Sequence, residues 1–149
     1  MKTAGDALSQ RACPHVSEWW SLLDLPLDHG PAVARSARHA LRRALIGQGL
    51  AQDTIDDAVL VVSELIANAV THAVPPITLH VRLVPAASLL IVSVADGGAH
   101  HIGGPTGTTA AREHGRGRQV IAALATATGS TSEGHGSGRV HHWAALDLP

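Results

Sequence analysis

The stretch SELIANAVTHA (63–73) sets Glu64, Asn68 and His72 four residues apart. In a helix, positions i, i+4 and i+8 form one slowly drifting stripe. Ala58, Val62, Leu65, Ile66, Ala69 and Ala73 share the adjoining apolar face, so the polar stripe borders the core, where a pocket can open. A second candidate is VADGG (94–98), in which a buried strand ends in Asp96 followed by Gly97 and Gly98. A carboxylate there can accept a hydrogen bond from an exocyclic amine, and glycines let backbone approach a flat ring. The third is EHGRGRQVIAALA (113–125), where Gly115 and Gly117 lead into a helical pattern. Backbone N–H groups at a helix N-terminus bind phosphate. Taken singly, each has a plainer reading: a solvated rim glutamate, a turn after a strand, a helix cap. No G-K-[ST] follows the third, so it is not a P-loop. Their order along one chain, on a helix, a strand end and a loop-to-helix junction, makes them a set.

The elements that must position them follow from periodicity. Residues 1–18 show no period and are expected to form a flexible tail, with one domain over 19–149. WWSLLDLPL (19–27) reads as an edge strand ended by Pro26 and DHG. Pro31 opens a helix, with Val33, Ala37, Leu41 and Leu45 on one face, closed by Gly47 and Gly49. Asp53 reads as the N-cap of the next helix, which stops before Pro75 and Pro76. The period then changes to two: ITLHVRLV (77–84) and SLLIVSVAD (88–96) are strands joined by a turn around VPAA. A loop rich in Gly and His is expected over 97–115, a third helix over 116–127, and a last pair of strands around EGHGSG. This order predicts an α/β two-layer sandwich: three helices on one face of a mixed, mostly antiparallel sheet.

Composition narrows the function classes. The 149 residues suffice for one domain with a real core; 45% are hydrophobic and only 2% aromatic, so Ala, Val, Leu and Ile must build it. A net charge of -1 leaves no basic footprint for nucleic acid or an anionic membrane. Neither a targeting segment nor an apolar run of spanning length is visible. The lone Cys13 allows no internal disulfide and fits a reducing compartment, so a cytoplasmic location is expected. His100/His101 and His141/His142 are adjacent pairs with no Cys partner and no H-x₃-H spacing. Neighbours on a strand point to opposite faces, so they read as surface or lid residues rather than metal ligands.

VVSELIANAVTHA is similar to the N-box of the GHKL (Bergerat-fold) ATPases, VADGG to their first glycine box, and HGRGRQVIAALA to their second. The chain resembles in particular the stand-alone anti-sigma-factor serine kinases, over residues 25–146. The resemblance implies a Bergerat ATP-binding fold with ATP and Mg²⁺ as cofactors. Glu64 matches the acid that activates the attacking nucleophile, and Asn68 the Mg²⁺ ligand. Asp96 matches the adenine-reading acid, with Gly98 beside the ring. Gly115, Arg116 and Gly117 match the phosphate-side loop. Both N-box roles are physically sound, since Mg²⁺ takes oxygen ligands and a carboxylate can take a hydroxyl proton. His72, where the family often has a histidine, reads as structural.

The sequence departs from the family in three places. His100 stands where a D-x-G-x-G pattern has its last glycine, Arg118 and Gln119 follow the second box, and Val140 stands where a threonine often supports the adenine site. No dimerisation helix pair, receiver or transducer segment is expected, which sets the sensor histidine kinases, gyrases, chaperones and mismatch-repair proteins aside. The resemblance implies a regulatory protein serine/threonine kinase that phosphorylates an anti-anti-sigma (STAS-like) partner and forms a homodimer in many relatives. Two alternatives stand beside it: a non-catalytic ATP-binding module that sequesters a sigma factor or other regulator, and a scaffold that binds no nucleotide.

Overall fold

A computed structural model describes residues 19–99, 108–134 and 136–149, with side chains of 108–115 excepted. The expected tail at 1–18 and the pair His100/His101 lie outside the described residues. In chain order the elements are β1 (Trp20–Leu27), α1 (Val33–Gly47), α2 (Gln52–His72), β2 (Ile77–Val84), β3 (Leu89–Asp96), α3 (Thr108–Leu124), β4 (Ala127–Ser132) and β5 (Val140–Asp147). The two strands with the clearest alternation fall where the period places them. β1 runs through Pro26 to Leu27, because an edge strand tolerates a residue that cannot donate to a second neighbour. The cap of α2 is Ala51 rather than Asp53, which sits inside the first turn, where its charge still favours the helix dipole.

The sheet order is β1-β2-β3-β5-β4, and all four pairings are antiparallel. The expected mixed sheet is therefore corrected to a wholly antiparallel one among the described strands. The physical reason is topological. β3 and β4, joined through α3, run in the same direction, as a helical crossover requires, but β5 lies between them and pairs antiparallel with both.

Alternation sorts the side chains of the sheet. Ile77, Leu79 and Val81 of β2, Leu90, Val92 and Val94 of β3, and Ala144 and Leu146 of β5 face the helices and are buried with Leu41 and Leu45 of α1. α2 is buried over a wider arc than its apolar stripe predicts: Ile55, Val59 and Val61 join Val62, Leu65 and Ile66. It packs against α1 on one side, α3 on the other and the sheet beneath. A helix with neighbours on three sides needs more than one apolar face.

The outer face of the sheet carries a small apolar cluster around Val84, Leu89 and Ala145 and, beside it, a set of paired polar side chains. Asp24 of β1 accepts from Ser21 at 2.7 Å, meets His80 at 2.5 Å and Arg82 at 2.8 Å. Burial works against the charge of Asp24, yet hydrogen bonds from Ser21, His80 and Arg82, with the guanidinium charge, hold its pKa at about 2. Arg82 also stacks 4.6 Å above the Trp19 ring. Further across, the His80 and His141 rings stack at 5.7 Å. A hydrogen bond with His141, 2.6 Å away, lowers the pKa of Glu133.

Candidate functional site

β3 delivers Asp96 to the helix-facing side of the sheet, two residues on from Val94, so its carboxyl is 1% exposed. Oδ1 accepts the Gly98 N–H at 2.8 Å, which fixes the carboxyl plane. Oδ2 is buried with no hydrogen bond among the described residues. The Nε2 atom of His142 stands 3.3 Å from it, outside hydrogen-bond geometry. Buried acceptors are almost always paired, and leaving one unpaired costs about 1–3 kcal/mol. Such an oxygen at a cavity wall marks a place for a donor. Gly98 holds φ +99°, and a Cβ there would lie 2.9 Å from the Gly138 carbonyl. Only glycine meets both conditions. The Gly97 N–H donates to Val74 at 2.7 Å and the Val74 N–H to Gly98 at 2.9 Å, tying the end of β3 to the chain leaving α2.

The cavity beside Asp96 has a volume of about 620 Å³ and is lined from α2, α3, β4 and β5. Asn68 and His72 of the α2 stripe line it, as the rim position predicts, and Leu65 and Ala69 supply the apolar wall beside them. Ile121 closes the α3 side. This size and mixture suit one small organic ligand held by apolar surface and a few polar groups. Glu64 lies one turn from Asn68, against α3: a Cβ on Gly117 would fall 2.6 Å from Glu64 Oε2 and 3.9 Å from Asn68 Oδ1. The two helices approach this closely because residue 117 has no side chain.

The structure thus brings Asn68 and Asp96 to one cavity, with Gly98 bonded to Asp96, whereas Glu64 and Gly117 lie against each other one turn back along α2 and are not among the lining residues. It changes the setting of the third motif. α3 begins at Thr108, not at residue 116, so Gly115, Arg116 and Gly117 lie within the helix and their N–H groups are not at its N-terminus. Ala110, Ala111, Arg112 and Glu113 are strong helix formers, and they carry the helix through two glycines that cost about 1 kcal/mol each. The helix also stops earlier, at Leu124, because Ala127 already belongs to β4. Arg116 is exposed, and Arg118 lines the cavity. The expected loop at 100–107 lies outside the described residues. Ser130, a further lining residue, was not singled out by sequence, and His142, expected at the surface or in a lid, lines the cavity instead. Among the described residues no cluster of three or more His, Cys, Asp or Glu can hold a metal ion, and no helix is long and apolar enough to cross a membrane.

Residues 28–139 match the family described as the histidine kinase-like ATPase domain. The chain belongs to this family. The histidine kinase-like ATPase fold is also found in the crystal structure of the RsbU and RsbW domains of Rv1364c from Mycobacterium tuberculosis, with a TM-score of 0.63 and 24% identity. The match covers 85% of this chain and 32% of that one, so this chain spans about a third of that protein's crystallised length. No curated protein matches.

Proposed function

We propose that this histidine kinase-like ATPase domain is an ATP-dependent protein serine/threonine kinase of the anti-sigma-factor type, acting on an anti-anti-sigma-like partner. The observation that carries the ATP site is the unpaired, buried Oδ2 of Asp96 at a cavity wall, which suits the amino group of adenine. Asn68, which lines the same cavity, offers a carboxamide oxygen, a ligand type that Mg²⁺ accepts together with phosphates. Bound Mg²⁺ would neutralise charge on the phosphates being transferred.

In this reading Glu64, one turn from Asn68, takes the proton of a partner hydroxyl as that oxygen attacks the terminal phosphate. The leaving group is ADP, and the product is a phosphoserine or phosphothreonine ester. Leu65, Ala69 and Ile121 exclude water from the base-binding part of the cavity. Support for the anti-sigma branch comes from the N-box and first glycine box, and from the fold shared with a chain that contains an RsbW domain.

The non-catalytic module is a second reading, favoured by one contact. The Glu64 carboxylate is pressed against Gly117, so α3 must shift before a protein hydroxyl reaches it. Labelled ATP with Mg²⁺ and each partner that co-purifies with the protein separates the two. A kinase transfers label to a partner serine or threonine, and Glu64→Ala lowers that transfer by roughly 10²–10⁴-fold while ATP affinity stays nearly unchanged. Asn68→Ala weakens binding and transfer together. If the wild type binds a partner and transfers no label to it, the sequestering module replaces the kinase.

A further inference from the structure

We infer that His142 is a base-reading residue: its Nε2–H meets ring nitrogen N1 of adenine while Asp96 Oδ2 meets the amino group. This rests on the ATP site proposed above and assigns one more of its contacts. His142 shares the inward parity of Ala144 and Leu146 on β5, and it lines the cavity that Asp96 borders. In the sheet register Asp96 faces Val140 and Val94 faces His142, so the two polar side chains are diagonal neighbours on the inner face. Ser130 is the direct cross-strand partner of His142, and its Oγ lies 2.8 Å from Nδ1.

In this assignment His142 is the neutral tautomer in which Ser130 donates to Nδ1 and Nε2 carries the proton, which avoids setting a ring lone pair against the Asp96 carboxylate 3.3 Å away. Because Nε2 and Oδ2 stand side by side without bonding to each other, the cavity wall presents one donor next to one acceptor. The Watson–Crick edge of adenine offers the complementary pair, an amino donor beside the N1 acceptor, whereas guanine offers a carbonyl beside an N–H and meets like with like at both positions. His142 thereby supplies the contact that the sequence lacks where Val140 stands. Its 44% exposed side chain leaves the ring reachable from the cavity mouth.

Calorimetry with ATP, 1-deaza-ATP (which lacks the N1 acceptor) and GTP tests the assignment on the full chain. Wild type should bind ATP roughly 3- to 10-fold more tightly than 1-deaza-ATP, the usual worth of one neutral hydrogen bond. His142→Leu should bind the two equally and should discriminate less against GTP. His142→Gln, which keeps an N–H at similar reach, should recover part of the preference. Ser130 is a positioning residue: Ser130→Ala should shrink the ATP to 1-deaza-ATP ratio and Ser130→Thr should restore it. An unchanged ratio in His142→Leu overturns the inference, as does tighter ATP binding by that variant, which would make His142 a competitor for Asp96. If ATP binding depends on Asp96 but not on His142, only this inference fails. If wild type binds no ATP, the nucleotide site itself fails.

Discussion

Asp24, on the outer face of the sheet, is 49% exposed, and Ser21, His80 and Arg82 surround its carboxylate. Asp96, on the inner face, is 1% exposed and keeps one oxygen without a hydrogen bond among the described residues. On the outer face, charges compensate one another in reach of water, where an ion pair is worth little. On the inner face an acceptor has been stripped of water and has only the His142 ring nitrogen beside it, outside hydrogen-bond geometry, at a cost the surrounding core must cover. That imbalance is what a ligand can exploit: a donor brought by the ligand meets an oxygen already desolvated and fixed in direction by the Gly98 N–H. Of two carboxylates on one sheet, the less well satisfied is the one fit to bind.

Four measurements break or sharpen this contrast. The largest effect belongs to the core that covers the cost: Leu79→Ala, at a fully buried inner-face position, should lower the unfolding free energy by about 2–5 kcal/mol in urea titration. Next, Asp96→Asn should weaken ATP binding by about 1–3 kcal/mol in calorimetry, with the unfolding midpoint of the ligand-free protein retained. Equal ATP affinity in the two proteins would remove the functional half of the comparison. A smaller effect is expected for Asp24→Asn, about 0–1 kcal/mol of stability and less in high salt, because the cluster is half in water. The smallest appears only in acid. Asp24 has a pKa lowered from 3.8 to about 2 in the folded protein. Its contribution is therefore full above about pH 4 and lost as the pH falls toward 2. Asp24→Asn should flatten stability over that interval, while its small deficit relative to wild type persists at neutral pH, where the Asp24 contribution is fully present.

How much of this is legible in the residues depends on which interaction decides each element. β2 follows from strict alternation, β3 from a nearly continuous apolar run after Ser88, and the Glu64–Asn68–His72 stripe from the helical repeat alone. These are local patterns. The start of α3 is not: Gly115 and Gly117 read as a loop, whereas Gly117 is a glycine because Glu64 of another helix lies against it. That contact has no trace in the neighbouring sequence. The order of elements suggests a mixed, mostly antiparallel sheet, and the insertion of β5 between β3 and β4 is a long-range choice that this order does not carry. His142 was within reach. It shares its parity with Ala144 and Leu146, the apolar side of HHWAAL, so alternation already separates it from the outward His141. The alternation that sets the pair aside as metal ligands also turns one of the two toward the helices.

The position of β5 also bears on how the protein comes into being on the ribosome. It follows every other strand in chain order, yet it sits inside the sheet with β3 on one side and β4 on the other. During synthesis the edge of β3 stays unpaired until residues 140–147 have cleared the exit tunnel, and β4 has no neighbour to join. The cavity is incomplete for the same period, since Val140, His142 and Trp143 form part of its wall. Ligand bound in the cavity can therefore stabilise the chain only after β5 has joined, and a long-range pairing of this kind is expected to form late.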